Sequence, residues 1–561
     1  KNYIKTVNSD WFNQRITGVI LCISAAFAVL FIRVFYLQVI EGEAYRVLSE
    51  NNSIRLQSVD APRGLIFDAN RSLLVDNRPS FDLGIILKDA KPLDETVRKL
   101  AYYLEISAEE ISERIKLAQK GVPSYKPVFV KRDIGRNAMA AVEVHKFDLP
   151  GVTINVRPVR HYINSMHASH LIGYLGEINA DELASEAYAE CRGGDYIGRF
   201  GVEKSYENIL RGQRGGRQVE VDVRGQVVRV LKTVDAQPGK NLFLTINAGL
   251  QKLAESLLVD KVGAVVAMDP NSGHILAMVS NPTFDQNAFV SGLSHYEWNA
   301  LLSNPDHPMT NKVLQGEYPP ASTYKIVTAI AGLEEGAVDE STIINCPGYY
   351  AFGNRVFRCW RRGGHGKVDM LRAIAESCDV YFDQVGEAVG VDKLAEYARA
   401  FGLGARTKIR LDNESRGLIP TAEWKRKRIG ERWQRGETLS IAIGQGFNLV
   451  TPLQMAALVG AIANGGTLYR PLIVQATETA DGGLVQPETP YIAGRLDISE
   501  KTLAIVRQGL WEVVNGKKGT ARGSRLKGIE MSGKTGTAQV VGRKEGEKHT
   551  KKADEEVEHH F

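Results

Sequence analysis

Pro319-Pro320-Ala321-Ser322-Thr323-Tyr324-Lys325-Ile326-Val327-Thr328-Ala329-Ile330 is the stretch on which the reading of this chain turns. Two prolines punctuate the chain and an apolar run follows, so the pattern predicts a buried helix that holds Ser322 rigidly. Ser-x-x-Lys on a helix sets a hydroxyl and an amine one turn apart on one face. That is the arrangement a serine nucleophile needs, because a hydroxyl attacks poorly until a neighbouring base takes its proton. Alone the string is weak, since it recurs by chance on solvated helices. Two further strings follow it in order, Ser377-Cys378-Asp379 and Lys534-Thr535-Gly536-Thr537.

Working outward, the 561 residues, 43% hydrophobic and 24% charged, are enough for several domains with ample core. A formal charge of +5 is small for this length, and no basic stripe is interleaved with aromatics. Nucleic acid is therefore excluded as a partner class. Between Arg15 and Arg33 lie seventeen uncharged residues, Ile16 to Ile32, and apolar character resumes from Val34 to Ile40. The expectation is one transmembrane helix over 15–40, with Arg33 snorkelling to the interface. A buried core helix is the bland alternative. A cleaved signal peptide would need its small-residue site after the apolar run, whereas Ala26-Phe27-Ala28 lies inside it. Lys1, Lys5 and Arg15 precede the segment and predict a cytoplasmic N-terminus over 1–14, with the bulk outside the membrane.

Ser-x-x-Lys, a Ser-x-Asn-like triplet and Lys-Thr-Gly are, as an ordered set, the signature of penicillin-binding proteins and class A β-lactamases. Here Asp379 stands where asparagine is usual. Residues 61–77, 160–174 and 198–212 resemble the non-catalytic pedestal of class B penicillin-binding proteins, with Ala69 and Arg71 departing from its pattern. Residues 440–456 resemble its transpeptidase domain. Phe357-Arg358-Cys359-Trp360, Gly364-His365-Gly366, the Asp379 triplet and the run Gly417 to Trp424 resemble the elongation-specific branch, typified by penicillin-binding protein 2.

The resemblance, which covers about 41 to 540, implies an α+β multidomain chain. A single N-terminal transmembrane helix leads into an elongated α/β pedestal over 41–240, with an inserted head subdomain at about 86–150. A penicillin-binding transpeptidase fold, an antiparallel sheet flanked by helices, occupies 241–561. Val97, Leu100, Ala101 and Leu104, then Ile111, Ile115 and Leu117, recur at helical spacing in the head. Arg199 and Glu203, four apart, fit either a buried pair or an exposed one. After Gln539 the charge run from Arg543 to Glu558 stands where the family continues into further strands and a helix, so a C-terminal truncation is expected, leaving the segment that carries Lys534 as an open edge.

The same resemblance assigns roles. Ser322 attacks the penultimate D-alanine carbonyl of a peptidoglycan stem peptide, Lys325 is its base, and Ser377 relays a proton to the leaving amine. Asp379 orients Lys325, a helix-capping carboxylate being its plain alternative. Lys534, Thr535 and Gly536, expected on a strand, receive the terminal carboxylate, with Thr537 pairing along the substrate. Backbone amides of Ser322 and Thr537 form the oxyanion hole. The expected activity is a serine D,D-transpeptidase of cell-wall elongation, inhibited by β-lactams and needing no cofactor for catalysis. The rival functions are a D,D-carboxypeptidase and a non-turnover β-lactam sensor or scaffold. Implied partners are stem peptides, a RodA-type glycosyltransferase and the MreC scaffold, at an inner membrane with the bulk periplasmic.

One constellation stands apart from the signature. Of five cysteines, Cys346, Cys359 and Cys378 share a short window with His365. Cys3His is a closed tetrahedral zinc shell. A disulfide between two of the cysteines, or buried free thiols, remain the alternatives.

Overall fold

The computed structural model describes residues 9–43, 45, 54–119, 122, 124, 126–221, 227–539 and 558–560. Nearly all of the expected C-terminal charge run, 543–557, lies outside the described residues. The helix Ser9–Phe35 continues through a π-turn, Tyr36–Ile40. Within it Asn13–Ile40 is long and apolar enough to cross a membrane, and none of its apolar stretch is buried by the rest of the chain.

The chain divides into two compact units. One comprises residues 1–61, 79–158 and 213–237; the other comprises 62–78, 159–212 and 238–561. The division therefore runs through the 41–240 segment as well as near its end. In the first unit, Ile54–Val59, Gly215–Val221 and Val227–Val234 form an antiparallel sheet with 215–221 in the middle. A second layer sets Leu83–Ile85 against Val128–Lys131, covered by the helices Leu93–Leu104, Ala108–Ala118 and Gly135–Val144. The head core is Leu83, Ile85, Val97, Leu100, Leu104, Ile111, Ile115 and Val130. Those helical positions are the ones whose spacing marked them, apart from Ala101, which is half-buried against the core, and Leu117, which is exposed.

In the second unit, Asn241–Leu244 pairs antiparallel with Val474–Glu478 on one side and parallel with Ile66–Phe67 on the other. The expected antiparallel sheet is thus mixed at this point. A parallel neighbour needs a long crossover connection, and the chain between 67 and 241 supplies one. Gly263–Met268 and Ile275–Asn281 form the expected hairpin. Buried helices then pack into one apolar cluster. They are Lys325–Glu334, Met370–Ala375, Asp379–Val389, Val391–Ala400, Arg435–Ala442, Pro452–Ala463 and Glu500–Asn515.

Four side chains tie the discontinuous pieces of this unit together. Glu203, fully buried, accepts from Arg160 Nε at 2.6 Å and from Arg63 at 2.8 Å, and Arg63 also meets Glu207 at 2.9 Å. The Arg199–Glu203 pairing does not form. Arg199 turns to Glu182 instead, because Glu203 faces inward towards two arginines brought in from elsewhere in the sequence.

Candidate active site

Ser322 is carried on a 3-10 turn, Ala321–Thr323, immediately before the helix Lys325–Glu334. Ala321 has φ +49°, a conformation costly for a residue with a Cβ. It is held there by Gly444, whose carbonyl accepts the Ala321 N–H at 2.9 Å. Gly444 itself has φ +74°, and a Cβ on it would stand 2.0 Å from the Ala321 carbonyl oxygen. The helix beyond is buried from Lys325 to Gly332, and Thr328 Oγ1 ties it to the Ala442 carbonyl at 2.7 Å. The turn that carries Ser322 is thereby fixed at both ends.

Lys325 is 1% exposed, and a buried ammonium persists only when paired. Its Nζ donates to Asp379 Oδ1 at 2.6 Å, to the Ser377 carbonyl at 2.9 Å and to Ser377 Oγ at 3.3 Å. None of these three bonds goes to Ser322, since a carboxylate outcompetes a hydroxyl for a buried cation. Asp379 opens the helix Asp379–Val389, but its side chain does not cap it. Oδ1 takes Lys325 and Oδ2 takes the backbone N–H of Trp360 at 2.8 Å.

Ser377, at φ +54°, presents its hydroxyl to a second amine as well. Lys534 Nζ lies 2.8 Å from Ser377 Oγ and donates to the Thr535 carbonyl at 3.1 Å. Burial, reinforced by the neighbouring Lys325 charge, holds the Lys534 amine well below the usual lysine range. Asp383, one turn along from Asp379, is pushed well above the usual carboxylate range by burial and by the Asp379 charge. Thr535 Oγ1 bonds Thr520 Oγ1 at 2.9 Å. Lys534–Gly536 precede the strand rather than lie on it, since no ladder partner runs beside them among the described residues. The strand is Thr537–Gln539, which packs against the Ala321–Thr323 turn and pairs antiparallel with Glu558–His560.

Trp360 was absent from the expected site residues. It is 59% exposed, yet it is locked in place. Its indole Nε1 is shared between the carbonyls of Glu376 and Ser377, each at 3.1 Å. The sequence signals at this position were its place in the Phe357–Trp360 run that resembles the elongation branch and its adjacency to Cys359, and neither pointed to a contact with Asp379 or Ser377.

Cys346, Cys359, His365 and Cys378 are all buried, and their donor atoms lie within 4.8 Å of one another. Glycines make this convergence possible: Gly348 and Gly364, both at positive φ, would drive a Cβ into the Arg362 and Cys346 carbonyl oxygens at 2.1 and 2.2 Å. His365 Nδ1 stands 3.5 Å from the sulfurs of Cys346 and Cys359. The cysteines are free thiols. Three thiols and an imidazole converging in an apolar setting fit a soft divalent ion such as zinc.

Residues 263–557 match the penicillin-binding protein transpeptidase domain, and 58–244 match the penicillin-binding protein dimerisation domain. The chain belongs to the penicillin-binding protein family. This penicillin-binding protein is 36% identical over 537 residues to the peptidoglycan D,D-transpeptidase MrdA of Acinetobacter baumannii, covering 95% of this chain and 79% of that protein. It is 32% identical to the Escherichia coli protein of the same name, covering 97% and 86%. Its fold matches Helicobacter pylori penicillin-binding protein 2 solved in complex with MreC. There the TM-score is 0.76 at 30% identity, over 87% of this chain and 89% of the other. It also matches, with TM-score 0.71 at 31% identity, a chain from a peptidoglycan synthase complex that coordinates polymerization and crosslinking, over 94% and 89%.

Proposed function

We propose that this penicillin-binding protein is an elongation-type peptidoglycan D,D-transpeptidase that works through an acyl-enzyme on Ser322 and is acylated there by β-lactams. The observation that carries this is the meeting of two lysines from distant segments, Lys325 and Lys534, on one hydroxyl, Ser377 Oγ. At rest Lys325 is the ammonium paired with Asp379, and Lys534 is the amine that burial favours as neutral. A donor peptide places its terminal carboxylate beside Lys534 and raises that amine's affinity for a proton. Ser377 then accepts a proton from Lys325 while passing its own to Lys534. Lys534 becomes the charge that binds the carboxylate, and Lys325 becomes the neutral base.

Ser322 attacks the penultimate D-alanine carbonyl as Lys325 takes its proton, with the Ser322 and Thr537 amides receiving the oxyanion. Collapse breaks the C–N bond, and the proton returns from Lys325 through Ser377 to the departing D-alanine amine. An acceptor amine on a neighbouring strand then attacks the acyl carbonyl and gives its proton to Lys325; the C–O bond to Ser322 breaks, and Lys325 returns that proton to the departing Ser322 oxygen as the cross-link forms. The test is labelling of the full-length protein with fluorescent penicillin, with the adduct mapped to Ser322 and absent in Ser322→Ala. Incubation with stem peptide and an acceptor amine should then yield cross-linked product, whereas hydrolysis alone would identify a carboxypeptidase.

The apolar helix supports a single-pass anchor in the inner membrane, with residues 1–14 cytoplasmic and the remainder periplasmic. A pedestal over 41–240 and a transpeptidase domain from 241 are supported by the matched segments 58–244 and 263–557. The relatives solved with MreC and in a synthase complex support an MreC scaffold and a RodA-type polymerase as partners.

We also assign a structural zinc ion to Cys346, Cys359, His365 and Cys378. Bound there, it would brace Cys378 and with it the flanking Ser377 and Asp379, without touching substrate. Metal analysis of the purified protein should give about one zinc per chain, lost in His365→Ala; unchanged metal content in that variant overturns the assignment.

A further inference from the structure

Within the catalytic unit, a cavity of about 280 Å³ is lined by Arg406, Lys408 and Arg470 together with Phe401, Tyr469 and Tyr491. None of the residues assigned to catalysis lines it. None of the three cations forms an ion pair among the described residues. The nearby acids are already engaged. Glu414 is buried, with its oxygens accepting from the Thr407 hydroxyl and backbone and from the Lys408 backbone, while Glu488 is taken by Arg410 at 2.7 Å. Three like charges converging on one recess repel each other, so the recess attracts an anion.

The lining is built rather than incidental. Gln454, 1% exposed, clamps both ends of the 405–416 loop by donating to the Ala405 and Arg416 carbonyls at 2.7 and 2.8 Å. Glu414 staples the loop's middle, and Lys408 is held there at φ +63°. Arg470 lies over the Tyr491 ring at 4.9 Å, so its guanidinium is oriented by an aromatic face. Rings beside fixed cations suit a ligand that joins an acidic group to a flat apolar or sugar body. The volume sits at the low end for small-molecule sites, enough for a body of monosaccharide size.

We propose that this cavity is a second ligand site, distinct from the Ser322 cleft, that binds a small sugar bearing a single carboxylate or phosphate. The two sources of that chemistry are a glycan acid of the cell wall and a free sugar phosphate. Calorimetric titration of the full-length protein in detergent uses N-acetylmuramic acid, glucose 6-phosphate and the neutral N-acetylglucosamine as probes. Binding of the first points to the glycan and of the second to the phosphate; in either case N-acetylglucosamine should bind at least tenfold more weakly. Lys408→Gln and Arg470→Gln should each weaken the anionic probe tenfold or more, and added salt should weaken it further. Lys501→Gln, at an exposed side chain that does not line the cavity, should change nothing. Thermal unfolding and penicillin labelling of each variant, expected unchanged, separate loss of this site from misfolding or from failure of the catalytic reading. The proposal is overturned if neither anion binds, if the neutral sugar binds equally well, or if both pocket variants bind as wild type does.

Discussion

At the scale of single residues, Ser377 meets two amines from distant segments, more than its place in a short triplet suggests. Its hydroxyl is the only bridge described between Lys325 and Lys534, so Ser377→Ala should slow penicillin acylation by about 10²–10⁴-fold, the usual worth of a positioned proton-transfer group. Stopped-flow acylation, with thermal unfolding as control, checks this; near-wild-type acylation removes the relay. Trp360 acts differently, since its backbone N–H orients Asp379 and its indole fixes the Ser377 carbonyl. Trp360→Phe keeps the backbone bond and loses only the indole donor, so the loss should fall mainly on the indole's share. Trp360→Ala, which loses the indole donor and also the ring beside His365, should slow acylation at least as much as Trp360→Phe does. The sequence could name Lys325, Ser377 and Asp379 because their spacing is a motif. It could not show that Asp379, rather than Ser322, holds the Lys325 amine, because that depends on where two helices meet.

At the scale of elements, the 3-10 turn at Ala321–Thr323 depends on Gly444, more than a hundred residues away in sequence. Gly444→Ala forces a Cβ into the Ala321 carbonyl and adds positive-φ strain of about 1–3 kcal/mol. The expected result is a lower Tm together with lost penicillin labelling, while Gly446→Ala, whose nearest neighbour is a flexible side-chain methyl at 3.4 Å, should be milder. Helices with strong apolar periodicity, such as Leu93–Leu104, were legible from spacing alone. The end of the strand before Thr537 was not, because strand extent is set by the partner available for pairing and not by local residues.

At the scale of the whole molecule, the catalytic unit is assembled from three separated stretches of chain, and the buried Arg63–Glu203–Arg160 cluster joins two of them. Glu203→Gln leaves the buried Arg160 without its carboxylate, while Arg63 keeps Glu207, a loss of about 3–5 kcal/mol that denaturant unfolding would register. The family, the N-terminal apolar helix and the order of the two matched segments were readable from ordered motifs and one apolar run. The interleaving of the pedestal with the catalytic unit was not, since only long-range contacts such as those of Glu203 reveal it.

The proton handover through Ser377 is tested most directly by the pH dependence of acylation in wild type and Lys534→Arg. A lysine whose affinity for protons is depressed by burial is neutral above its lowered pKa and loses that form as pH falls through it. Wild-type acylation should therefore decline as pH falls through that lowered pKa, below the range of an ordinary lysine. Lys534→Arg keeps a carboxylate-binding charge but accepts no proton, so it should bind penicillin with similar affinity and acylate about 10²–10⁴-fold more slowly at every pH. Wild-type rates and an unchanged acid limb in that variant would contradict the account.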